Sequence, residues 1–285
     1  MNIILNFSPV VIFLIMLGVG MSVTFKNFIE VFKDFKTLLI GLSLQMLILP
    51  LIGFLFAVFA PVDIFFKLGI ILITCVPSAV TSNYLTKLVD GNVALSVSLT
   101  AITACLSFVT IPFILVILAP IVLDEANIFQ KLNFFKMSLG LLMITTIPVL
   151  IGAAIKTKFS IFVEKINKSY SIFSLFLFLM IIFIAWFSEW SAIIILYKSI
   201  GFLVISLAVA ILVSSYALVN LFNLSGANKK TIIIESFIQN AAMAIIVGGT
   251  TLGIDSGYLA VAALYALLQY KILLFAWGMS KFLKI

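Results

Sequence analysis

The sequence predicts an all-α polytopic membrane protein with nine transmembrane helices, and three observations carry that expectation. Of 285 residues, 64% are hydrophobic and only 9% charged, too little polar surface to cover a soluble globule of this size. Apolar runs of about 20 residues recur along the chain, each long enough to cross a hydrocarbon core of about 30 Å. The breaks between runs collect the lysines, as loops on one side of a membrane do.

The runs lie near 4–23, 37–60, 65–86, 93–119, 136–155, 170–187, 199–222, 231–253 and 257–280. The first continues to about Val23 with no basic segment before it and no small-residue cleavage site, so it reads as a span rather than a cleavable signal. Odd-numbered loops and the C-terminus carry Lys26, Lys33, Lys36, Lys87, Lys156, Lys158, Lys165, Lys168, Lys229, Lys230, Lys281 and Lys284. Even-numbered loops carry Lys67, Lys131, Lys136 and Lys198, together with Asp63, Asp124, Glu125, Glu189 and Asp255. Twelve lysines against four place the odd loops and the C-terminus in the cytoplasm and the N-terminus outside. Two cytoplasmic segments, 26–36 and 156–168, mix lysines with Phe28, Phe32, Phe159 and Phe162 at near-helical spacing, the pattern of helices lying in the interface.

Composition excludes several classes. All 17 basic residues are lysines scattered singly between apolar runs, so the net charge of +7 follows membrane topology and not nucleic-acid binding. There is no histidine, and Cys75 and Cys105 stand apart in apolar stretches, which argues against zinc and disulfides. An intramembrane enzyme would need a nucleophile with a base, a metal cluster or paired carboxylates, and no such set is available.

Glu235 is the one carboxylate inside a predicted span, in the run Ile233-Ile234-Glu235-Ser236-Phe237-Ile238-Gln239-Asn240. Burying it costs about 2.5–3.5 kcal/mol on insertion scales unless a cation, a proton or water offsets the charge. Counting about 1.5 Å per helical residue from the cytoplasmic loops puts Thr81, Ser82 and Asn83, then Ser96 and Thr100, at a depth similar to that of Glu235. A deeper layer near the midplane holds Gln45, Gln239, Asn240 and Lys271. Spans three and eight are also poor continuous helices, the first at Pro77 and the second at Gly248-Gly249. Paired interrupted spans, one in each half of a chain, point to a transporter site.

These residues resemble the bile acid:sodium symporter family, from about Met16 to the end of span eight. The resemblance is carried by Met16-Leu17-Gly18-Val19-Gly20-Met21-Ser22-Val23-Thr24, by Leu42-Ser43-Leu44-Gln45 with Pro50 after it, by Thr81-Ser82-Asn83 with Gly91-Asn92-Val93-Ala94-Leu95-Ser96 and Thr100, and by Glu235 to Asn240. It implies an inverted-repeat transporter with two crossed discontinuous helices, a panel domain of roughly 1–36 and 136–198, and a core domain of roughly 37–135 and 199–285. It also implies two sodium ions. One would use Ser82, Asn83, Ser96, Thr100 and Glu235; the other Gln45, Glu235, Gln239 and carbonyls around Ser236 and Ile238. Asn240, with Thr81, would face substrate.

The chain departs from the pattern in three places. The extra first helix of ten-span members is missing, the paired glycines that often follow the motif proline are Ser78-Ala79, and Lys271 stands where a neutral polar residue is expected. A lysine at the midplane beside Asn240 would suit a carboxylate or sulfonate. The expected activity is sodium-coupled symport of an organic anion, bile-acid-like or a small carboxylate, by a monomer in a bacterial cytoplasmic membrane. The alternative is a proton-coupled or passive permease of related fold.

Overall fold

The computed structural model describes residues 2–23, 25–122, 133–188, 190–224, 226–251 and 256–282. Thr24, Asp124, Glu125, Lys131, Glu189, Asp255 and Lys284, used above, lie outside them. In chain order the helices are α1 (Asn2–Ser22), α2 (Phe25–Lys33), α3 (Phe35–Ser43), α4 (Leu49–Phe59), α5 (Ile64–Cys75), α6 (Thr81–Leu88) and α7 (Val93–Val122). The second half holds α8 (Phe134–Leu141), α9 (Ile147–Lys158), α10 (Ser160–Ser188), α11 (Trp190–Leu221), α12 (Gly226–Phe237), α13 (Ala241–Thr251) and α14 (Ser256–Phe282). Among the described residues, five stretches are long and apolar enough to cross a membrane: Phe35–Phe59, Val93–Val122, Phe134–Lys158, Ile200–Leu221 and Gly257–Gly278.

Two of those stretches contain a single wide turn, Leu44–Ile48 between α3 and α4 and Leu142–Thr146 between α8 and α9. Each precedes a proline at the second residue of the next helix, Pro50 and Pro148. Proline has no N–H, and its ring would strike the carbonyl four residues back; a turn closed by bonds from Leu49 N to Leu44 O and Ile147 N to Leu142 O accommodates it within a continuing helix. The first wide turn carries Gln45.

Helix α1 lies closest to α9, where Gly20 and Gly152 face the opposing backbone. A Cβ on either would come within 2.0 Å of Val149 O or 2.2 Å of Leu17 O, so only glycine permits this approach. Helices α5, α13 and α14 pack together around the buried Tyr258, with Gly69 of α5 and Gly248 of α13 against it.

One sequence expectation changes. Gly248-Gly249 does not interrupt span eight, because both residues lie within α13. Gly248 is a packing glycine: a Cβ there would fall 2.6 Å from the Tyr258 ring and 3.2 Å from Leu72. The segment 156–168 is helical apart from Phe159. It is divided at Phe159 between α9 and α10, with Lys156 bridging the junction to Glu164 at 3.1 Å. The segment 26–36 is mostly a short helix, α2, with Val31 buried and Ile29 and Phe32 exposed.

Candidate cation site where two interrupted helices meet

Span three opens between α5 and α6. Val76 takes an extended backbone (φ −74°, ψ 151°), the conformation that the ring of Pro77 imposes on the residue before it. Span eight opens at Ile238-Gln239-Asn240, between α12 and α13. The two openings pair as an antiparallel bridge, Ser78 against Gln239, with Asn240 N donating to Pro77 O (3.0 Å) and Ala79 N to Ile238 O (3.1 Å). Each interruption thus supplies partners for backbone groups that the other has lost. Asn240 also caps α13, its Oδ1 accepting from Met243 N at 3.1 Å.

This pairing sets Glu235, fully buried in the last turn of α12, among hydroxyls. Oε1 accepts from Ser82 (2.5 Å) and Ser96; Oε2 accepts from Ser78 (2.5 Å) and Thr100 (2.8 Å). Asn92 fixes the start of α7, and hence the height of Ser96 and Thr100, by accepting from Leu95 N with its side chain (3.1 Å). The same hydroxyls make further contacts: Ser82 with Ala79 O (2.8 Å), Ser96 with Asn83 Oδ1 (2.7 Å), Thr100 with Ser96 O (3.1 Å) and Ser78 with Thr100 (2.9 Å).

These are eight oxygen–oxygen contacts served by four hydroxyl protons. Each hydroxyl donates once, so half of the contacts lack a proton and the cluster is rich in lone pairs. Among the described residues the one ion pair is Lys156 with Glu164, so no side-chain cation reaches Glu235. A fully buried, acceptor-rich carboxylate cluster is suited to holding a small cation.

The sequence-predicted residues fall in three groups. Ser82, Ser96 and Thr100 touch Glu235 directly, and Asn83 joins through Ser96. Gln45 and Gln239 are buried with unpartnered side-chain atoms, both amide atoms of Gln45 and Oε1 of Gln239; Gln239 Nε2 donates to Ser236 O at 2.6 Å. The Ser236 hydroxyl turns away, to Ile232 O and Ser215, and Ile238 O already accepts from Ala79 N. Thr81 bonds the Tyr270 hydroxyl at 2.8 Å. Lys271, expected at depth beside Asn240, is exposed on α14.

Sequence reasoning missed Ser78, noted only as a departure from glycine, although it sits in the predicted opening of span three. It also missed Gln269, whose Oε1 accepts from Gln239 N at 2.9 Å. No local signal marks Gln269, because it stands 30 residues from the Gln239 N–H that it accepts from.

Residues 9–196 match the model described as the Sodium Bile acid symporter family, a stretch that includes Gln45 and the first opening and ends before Glu235. The uncharacterized sodium-dependent transporter YocS of Bacillus subtilis is 35% identical over 116 residues, 39% of this chain and 36% of that protein. "Probable sodium/metabolite cotransporter BASS1, chloroplastic" of Arabidopsis thaliana is 30% identical over 166 residues, 57% of this chain and 39% of that protein. Sodium/bile acid cotransporter 4 of Homo sapiens is 29% identical over 231 residues, 80% of this chain and 52% of that protein. The chain spans about half or less of the length of these relatives, all of which are named as transporters and none as an enzyme.

Proposed function

This chain belongs to the sodium bile acid symporter family, and from that premise and the cluster at Glu235 we propose that it is a sodium-coupled symporter of an organic anion. The observation that carries the reading is the shortage of protons around Glu235. A sodium ion at Ser82, Asn83, Ser96, Thr100 and Glu235 supplies the missing positive charge and lets the hydroxyls offer lone pairs. One added proton would serve only one more contact, so coupling to protons is the weaker reading. A second ion at Gln45, Gln239, Glu235 and the carbonyls of Ser236 and Ile238 is supported by the unpartnered atoms of the two glutamines. Ile238 O keeps a second lone pair beyond its bond to Ala79.

The nine runs then form nine spans, with a panel of roughly 1–36 and 136–198 rocking against a core of roughly 37–135 and 199–285. The close approach of α1 to α9 supports the panel, and the paired openings support a core that moves as a unit. The lysine distribution supports a cell-membrane location with an external N-terminus. Sodium and the anion raise each other's affinity by the same factor. Asn240 and Thr81 face the anion, and the exposed Lys271 ammonium attracts it.

The test is a melting curve of purified protein in sodium against potassium at matched ionic strength, for wild type and Glu235→Gln. At ten times the dissociation constant sodium stabilises the wild type by about 1.4 kcal/mol, and Glu235→Gln loses that difference. Equal curves for wild type in the two cations would end the sodium reading in favour of proton coupling or passive permeation. In an uptake screen of organic anions, Lys271→Met weakens apparent affinity for any transported anion; unchanged affinity at equal expression removes Lys271 from the substrate path.

A further inference from the structure

Ser78 differs from the three other hydroxyls at Glu235 in where its oxygen can go. Ser82, Ser96 and Thr100 stand on helices, and each has an acceptor besides the carboxylate: Ala79 O, Asn83 Oδ1 and Ser96 O respectively. The bonds of Ser82 and Thr100 run back to the turn before, as helical Ser and Thr commonly do, and that of Ser96 ties α7 to Asn83 on α6, so each has a structural use apart from the carboxylate. Ser78 lies outside any helix, and its hydroxyl contacts only Glu235 Oε2 at 2.5 Å and Thr100 Oγ1 at 2.9 Å. Among the described residues, both hydrogen-bond partners of the hydroxyl belong to the cluster.

Its position is also fixed independently of that hydroxyl. Ser78 pairs with Gln239 in the antiparallel bridge, and the bonds from Asn240 N to Pro77 O and from Ala79 N to Ile238 O hold the residues on either side. Ser78 is 1% exposed, so bulk solvent does not reach it. A hydroxyl held by backbone pairing and aimed at a buried carboxylate oxygen is preorganised to share an ion with it.

We propose that Ser78 is a ligand of the cation at Glu235, an oxygen this chain supplies from the opening of span three itself. When the ion is bound, Ser78 releases its bond to Oε2 and turns a lone pair inward, so that Oε2 meets the ion flanked by Ser78 and Thr100 as Oε1 is by Ser82 and Ser96. The inference rests on the sodium reading above and goes beyond it in the residue that it assigns.

The experiment titrates sodium at constant ionic strength, with potassium as the balancing ion, and fits the half-saturating sodium concentration, the midpoint of binding, from the logarithmic growth of the sodium-specific melting shift. Wild type, Ser78→Ala, Ser78→Gly and Glu235→Gln are compared. Reading sodium against potassium within each variant cancels any loss of packing common to both. Ser78→Ala and Ser78→Gly each raise the half-saturating sodium about tenfold, the loss of one contact to a charged group. If both keep the wild-type midpoint while Glu235→Gln loses the response, Ser78 is a structural hydroxyl and this inference falls while the sodium reading stands. If the wild type shows no sodium response, the reading itself fails and the assignment of Ser78 falls with it.

Discussion

The first interruption contains a proline, and the second contains neither proline nor glycine. At Val76-Pro77 the chain cannot continue a helix comfortably, because the ring forces the preceding residue into an extended form. At Ile238-Gln239-Asn240 nothing in the local sequence forbids one. There the helical bonds are replaced by tertiary ones: Gln239 N donates to Gln269 Oε1 and Asn240 N to Pro77 O. Released carbonyls find new partners: Ser236 O, left by Asn240 N, accepts from Gln239 Nε2, and Phe237 O, left by Ala241 N, which donates to Gln239 O, accepts from the Tyr265 hydroxyl (2.9 Å). One opening is therefore dictated locally and the other is held open by its neighbours. The second depends on α14, which carries both Tyr265 and Gln269.

Removing a holding group from the second opening should consequently cost more than removing the proline from the first. Gln269→Leu leaves the Gln239 N–H buried without a partner and should destabilise the protein by about 1–3 kcal/mol, read as a lower melting temperature in sodium-free buffer. A variant as stable as wild type would mean that Ile238-Gln239-Asn240 opens of its own accord, and the contrast would disappear. Pro77→Ala should cost about 1 kcal/mol or less, chiefly by freeing the unfolded chain, because Pro77 O and Ala79 N are held by backbone pairing whatever side chain stands at 77. It should also keep the sodium-dependent melting shift. A loss greater than that of Gln269→Leu would reverse the order and make proline the main support of both openings.

The same contrast governs how much of the site could be read in advance. Ser82, Ser96, Thr100 and Glu235 lie on regular helices that start at recognisable loops, so counting residues from Lys87, Asn92 and Lys230 brought them to one height. Ser78 escaped because it stands on the non-helical stretch, where a rise of about 1.5 Å per residue does not apply. Lys271 shows what counting leaves open, since it yields height along a helix and not direction around it. Successive residues diverge by about 100° on a helix, so Tyr270 bonds Thr81 on α6 while Lys271 is exposed. Gly248 was misread because a glycine needed for close packing looks, in sequence, like one needed for a break.

The sequence by itself determined the helical membrane class, the break at Pro77 and the height at which hydroxyls meet Glu235, since each follows from local rules of hydropathy, proline geometry and helical rise. Only the tertiary structure decided where the second helix opens, that Ser78 joins the cluster and that Lys271 is exposed. Each of these depends on backbone or side-chain partners far away in the chain, and a hydrogen bond to a distant partner leaves no mark on the local pattern.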